Sequence, residues 1–218
     1  MADFNSLKGL SFDPQMVRDE VREFYERTSD FTLDAWASWS RTFRPLARIL
    51  VGLVSRRVDQ LNLPVSPLDT AAGMRSDVIP LVDANGDMQA AGWLRRLAAD
   101  GTVVYAGVYQ DMQPPGHDSP CVKTVFPLPR GNVIAVLRPE AGADGSLRLA
   151  SKGRRFGDPG MYRSLVSGDG TRRIRYIRAM HECIHVYVDD AGTLRTDHDF
   201  RFFRHVMLRI HYRITPKR

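Results

Sequence analysis

The densest group of chemistry-bearing side chains is His181-Glu182-Cys183-Ile184-His185. It satisfies the pattern H-E-x-x-H. On a helix the two histidines fall one turn apart and can share a zinc ion while the glutamate activates water. That chemistry requires a helix, and the β-branched and aromatic residues at 184 and 186–188 favour a strand. No glycine stands three residues after His185, and no third histidine follows at the metzincin spacing. A zinc hydrolase therefore ranks last among the readings, and no metal or other cofactor is expected.

Read as a strand, the segment has two faces. His181, Cys183, His185 and Tyr187 share one; Met180, Glu182, Ile184, Val186 and Val188 share the other. If the first face looks into a barrel, His181, His185 and Tyr187 are the candidate catalytic groups, able to move protons near neutral pH. If it looks outward, Glu182 must find a partner inside. Period alone leaves both open.

The candidate ligand-binding residues are Tyr105, Tyr109, Trp93, Tyr162, His198 and Phe200. Tyr105 and Tyr109 alternate with Gly107, which leaves room beside a sheet. Trp93 and Tyr162 extend an aromatic lining of the kind small-molecule pockets use. His198 shares a mostly apolar face with Leu194, Phe200 and Phe202. It is either a pocket group or a buried histidine held by one hydrogen bond. No P-loop, G-x-G-x-x-G or G-x-S-x-G motif is present, and the two cysteines stand 62 positions apart with no C-x-x-C pair.

The elements that must position these residues change texture along the chain. Asp13-Pro14 marks a helix start, with Asp as N-cap and Pro at the first helical position. Helical spacing of Met16, Val17, Val21, Phe24 and Tyr25 carries it to Thr28-Ser29-Asp30. A second apolar stripe, from Trp36 and Trp39 to Leu61, predicts a helix over about 34–61, kinked near Pro45. Residues 62–76 read as a loop. Beyond it come eleven short β-like runs separated by turn residues: 76–82, 88–98, 102–112, 121–128, 132–138, 146–151, 161–167, 171–177, 179–188, 193–203 and 206–214. Connections this short force antiparallel neighbours, and closure removes exposed edges.

The expected fold is mainly β (α+β): N-terminal helices over 1–75, packed on an antiparallel β-barrel or half-barrel over 76–218. Over residues 76–214 this element order resembles the lipocalin (calycin) barrels and the small β-barrel cyclases of polyketide biosynthesis. The resemblance is architectural. The lipocalin signature separates Gly and Trp by one residue near the first strand, whereas Gly92-Trp93 are adjacent and on a later run. No catalytic residue carries over. The resemblance implies a barrel that binds a hydrophobic, polyketide- or lipid-like molecule, as a carrier or as a cofactor-independent cyclase or isomerase. The alternative is a non-catalytic protein docking a membrane surface or an acidic partner.

Composition bounds these readings. The 218 residues, 43% hydrophobic and 26% charged, are an ordinary globular mixture. Two cysteines and no signal-like leader make the cytoplasm the expected location. No apolar run reaches the ~18–20 residues that span a bilayer. The net charge is +6, and Arg outnumbers Lys 27 to 4. Residues 148–178 hold nine basic residues against Asp158 and Asp169. By strand alternation that stretch reads first as a solvated barrel face. The other readings are a surface for phosphate, an acidic carrier protein or nucleic acid, or, with the basic helix over about 34–61, for a membrane. With no recognised motif, nucleic acid is not an expected partner.

Overall fold

The computed structural model describes residues 3–43, 45, 74–128 and 130–217. Asp13 caps a 3-10 turn, Pro14–Met16, by accepting from the Gln15 N–H. The α-helix α1 follows at Asp19–Glu26, burying Val21 and Phe24. The helix is thus shorter than its apolar spacing suggests. A second 3-10 turn, Thr28–Asp30, leads into the first strand.

That strand corrects the second expected helix. Residues 31–39 form β1, not the start of a helix at 34. Phe31, Leu33, Ala35, Ala37 and Trp39 are buried and their neighbours are not, a period of two. Trp36 and Trp39 also fit a helical stripe, but the run Phe31–Ala37 fits only a strand. The rest of that expected helix, beyond residue 45, lies outside the described residues. The barrel therefore draws a strand from before residue 75 as well as from after it.

Eleven further strands lie where short β-like runs were read: β2 Met74–Val82, β3 Met88–Leu97, β4 Val103–Met112, β5 Cys121–Leu128, β6 Gly131–Ala141, β7 Leu147–Ala150, β8 Met161–Val166, β9 Arg172–Tyr176, β10 Met180–Val188, β11 Leu194–Phe202 and β12 His205–Pro216. All pairings are antiparallel. The order is β5-β4-β3-β2-β1-β12-β11-β10-β7-β6, and β5 pairs with β6 to close a ten-stranded barrel. β8 pairs with β6 over Gly131–Ala135, where β7 does not, so the β8–β9 hairpin stands outside the ring.

Register fixes the inner face. Leu33 stands opposite Ile214, Ala35 opposite Tyr212 and Ala37 opposite Ile210. Ile214 faces Leu194, and Tyr212 faces Thr196. Val186 faces Thr196 on one side and Leu147 on the other. These residues are buried, and all but Thr196 belong to one core cluster. The interior is apolar and β-branched for most of its height, as a filled barrel requires.

The N-terminal segment covers one end of this barrel. Phe4, Leu7, Phe12, Val17, Val21 and Phe24 join the barrel core. The Ser11 N–H donates to Ser119 Oγ in the β4–β5 loop, and the Arg18 N–H donates to the Gly145 carbonyl in the β6–β7 turn. Gly9 permits the close approach: a Cβ there would lie 2.5 Å from Ser119 Cα. The Phe24 ring meets Phe31 edge-on at 5.6 Å and Trp93 at 6.5 Å.

Candidate functional site

The inner face carries polar groups that its apolar pattern does not announce. Glu182 is opposite Phe200, and His198 is opposite Ile184 and Ile210, so both sit on the inner side of their strands. Glu182 Oε1 and His198 Nε2 are 2.7 Å apart, with side-chain exposures of 2% and 14%. Two residues along β11, inner-facing Thr196 pairs with Tyr212 on β12. The Tyr212 hydroxyl is held above its ordinary pKa, mainly by burial, with the Arg95 guanidinium pulling it down.

Arg95 comes from the opposite wall. It stands opposite Ser76 on β2 and shares the inner face of β3 with Trp93 and Ala91. Its Cζ lies 4.2 Å from the centroid of the Trp93 ring and 5.0 Å from that of Tyr212. Aromatic faces are good partners for a guanidinium taken from water. Tyr25 of α1 is pushed well above the usual phenol range by burial and by the Tyr109 hydroxyl, with Arg95 acting the other way. Arg95 thus sits among three tyrosines and a tryptophan.

A cavity of about 40 Å³ adjoins this cluster, lined among others by Tyr25, Thr28, Trp93, Tyr109 and Val122. Trp93 and Tyr109 pack with ring centroids 5.0 Å apart. The volume suits about three waters, against the ~300–1,000 Å³ of drug-sized pockets. Several buried polar atoms of inner-facing residues have no hydrogen-bond partner among the described residues: Ser76 Oγ, Trp93 Nε1, Thr124 Oγ1, Glu182 Oε2 and Thr196 Oγ1. Such orphans are rare in folded proteins and cost roughly 1–3 kcal/mol each. All five belong to residues that face the barrel interior.

The sequence-derived candidates divide between the faces. Trp93, Tyr109, His198 and Phe200 lie on the inner side, with His198 and Phe200 rings 4.3 Å apart. Tyr105 stands opposite Arg95 in the β3–β4 register. His181, His185 and Tyr187 alternate with inner-facing Glu182 and Val186 and so lie on the outer face. They do not line the interior, and the outward reading, with Glu182 finding an inner partner, is the one realised. His181 Nδ1 lies 3.2 Å from the Ser151 carbonyl oxygen. His185 stacks on Tyr187 at 4.9 Å. Four residues of strand separate the two histidines by about 13 Å, too far to share one zinc ion. Tyr162 is outside the ring, in a small cluster with Cys121, Val136 and Tyr176.

The outer face is instead tied together by charge. Asp199 receives Arg209 at 2.7 Å and Arg201 at 3.2 Å. Asp197 lies 2.7 Å from His211 Nδ1. Burial and the neighbouring Arg148 hold the His185 imidazole below its ordinary pKa.

Sequence reasoning missed Arg95, Tyr212 and Tyr25. The signal for Arg95 was its parity with Trp93, which places a charge on an otherwise apolar strand face. Tyr25 was read only as part of the helix's apolar spacing.

The chain is similar to the "Uncharacterized membrane protein YndJ" of Bacillus subtilis (strain 168), with 26% identity over 223 residues. The match takes in 98% of this chain and 37% of that protein, so the chain spans well under half of its relative's length. No family model matches the chain, and no solved structure matches it. No helix among the described residues is long and apolar enough to cross a membrane.

Proposed function

We propose that the barrel binds a small amphiphilic molecule, with its apolar part against Tyr25, Trp93 and Tyr109 and its polar end on the inner orphan groups. The observation that carries this reading is the cavity lined by Tyr25, Trp93 and Tyr109, with the unpartnered Trp93 Nε1 at its wall and further unpartnered polar atoms elsewhere on the inner face. The interior suits a guest with both a ring or short chain and a hydroxyl or carboxyl group. At about 40 Å³ the cavity admits only a few heavy atoms, so a larger guest requires α1 to lift from the barrel end. The eight-residue helix is joined to β1 by a 3-10 turn, so lifting it unseats Val21 and Phe24 from the core but unpairs no strand. The polyketide- or lipid-like ligand expected from the sequence falls in this second size class.

Catalysis without a cofactor is a second reading, favoured by the Glu182–His198 pair. A buried carboxylate and imidazole 2.7 Å apart can pass a proton to and from a guest in the same interior. The relative's name raises a third possibility, that this barrel serves a membrane-associated protein.

Calorimetric titration with phenol and p-cresol, which both exceed the resting cavity of about 40 Å³ and so enter only if α1 gives way, tests the primary reading. One-to-one binding with a negative heat-capacity change, weakened by Trp93→Ala, supports it. No heat and no stabilisation by either compound would overturn it.

A further inference from the structure

The β8–β9 hairpin stands outside the barrel ring, and among the described residues β9 is a free edge. Four of the five residues of β9 are exposed: Arg172, Arg173, Ile174 and Arg175. Across the hairpin Arg163 is directly opposite Arg175, and Arg173 is opposite Leu165. Like charges in direct cross-strand register destabilise a pair. The ion pairs of the described residues include none to Arg163, Arg172, Arg173 or Arg175. Over residues 152–178 eight basic side chains stand against Asp158 and Asp169. Asp158 is already held by the Arg154 and Arg155 N–H groups.

Exposed apolar side chains are interleaved with this charge. Ile174 is 51% exposed and Phe156 63%. By register Ile174 shares one face of the hairpin with Val166 and Arg172, while Leu165 lies on the other with Arg163, Arg173 and Arg175. Each face of the edge thus carries both charge and an exposed aliphatic side chain. Phe156 meets Tyr162 edge-on at 5.6 Å, which fixes its loop against the hairpin. Charge on a free edge also blocks pairing with another sheet. That role needs charge of either sign and no exposed Ile or Phe. Nucleic acid would satisfy the arginines and can stack a base on Phe156, but it offers little to Ile174, Val166 and Leu165. Cations with long apolar stems beside exposed Ile, Val and Phe match the boundary between anionic headgroups and acyl chains.

We propose that the free β9 edge of this hairpin is a docking surface for an anionic phospholipid bilayer. The hairpin is outside the ring, so it reaches a surface without disturbing the barrel interior.

Flotation of the intact chain with phosphatidylcholine vesicles, with and without phosphatidylglycerol, is the test. Binding is expected only with phosphatidylglycerol and is expected to weaken with salt. The triple variant R172E/R173E/R175E keeps a charged edge, and with it the block to edge pairing, but should lose about 100-fold or more in partitioning. The variant I174S/F156S should also weaken binding, while both variants keep the parent melting temperature within a few degrees. Undiminished binding by the triple variant would overturn the proposal. So would binding to neither vesicle. Equal binding to heparin or duplex DNA, with no loss in I174S/F156S, would show a general polyanion surface and overturn it as well.

Discussion

Glu182 and His198 meet inside the barrel across the β10–β11 pair, with Oε1 and Nε2 2.7 Å apart. The pairing settles a question left by strand parity. With His181 and His185 outside, Glu182 is inside, and a buried carboxylate persists only with a partner. His198, sixteen residues on, supplies it. Replacing His198 by Leu leaves the carboxyl with no partner at either oxygen and should cost about 3–5 kcal/mol. The double variant E182M/H198L should recover much of that loss. Urea denaturation of the two singles and the double measures the coupling. Additive effects would mean the pair does not act as a unit.

Phe24 sets its ring into the barrel end, against Phe31 and Trp93. Phe24→Ala should cost about 3–5 kcal/mol and admit water to the Trp93 side of the cavity. A red shift of Trp93 fluorescence in a still-folded protein checks the second half. An unshifted spectrum would mean that α1 does not cover the cavity.

His185 has a definite pH signature. Its imidazole is held below the ordinary value, first by burial and then by Arg148. A histidine with a lowered folded pKa binds fewer protons folded than unfolded, so stability rises with pH across the window below its unfolded value. That contribution is lost as pH falls from about 6.5 toward the folded pKa. Arg148→Gln should move the His185 titration upward, read from its ring proton shifts. A downward move or none would contradict the assigned cause.

Gly131 opens β6 where β5 and β8 both pair with it. Its φ is +149°, and a Cβ there would sit 2.0 Å from the Ser164 carbonyl oxygen. Backbone on the partner strand cannot give way as a side-chain tip can. Gly131→Ala should therefore destabilise by more than about 1 kcal/mol. The loss should be seen as a lower urea midpoint with an unchanged slope.

Much of the architecture was legible because strands joined by short turns leave few options. The pairs around Asn85-Gly86 and Asp189-Asp190-Ala191-Gly192 are hairpins with Gly86 and Gly192 at positive φ, as turn chemistry suggests. β1 was not legible as a strand, because Trp36, Trp39 and Phe43 also fall at helical intervals. The deciding partner, β12, lies about 180 residues away in sequence and supplies the nine-residue register. The histidine cluster misled for a related reason. A strand's two faces are equivalent until the fold says which one is buried, and Ile184, Val186 and Val188 had the stronger claim on the core. The polar interior was hidden because Arg95, Tyr212 and Tyr25 come from three distant elements that no local pattern connects.

A guest received as proposed in the interior beside Trp93 would first touch the indole. Trp93 Nε1 is buried with no partner among the described residues, so its indole N–H resonance reports directly on arrivals. The decisive measurement is that resonance, assigned by Trp93→Phe, during titration with p-cresol. The account predicts a saturable shift, accompanied by Val122 and Ala91 and absent at His185 on the outer face. A static Trp93 signal at saturating probe, or shifts confined to the outer face, would contradict it.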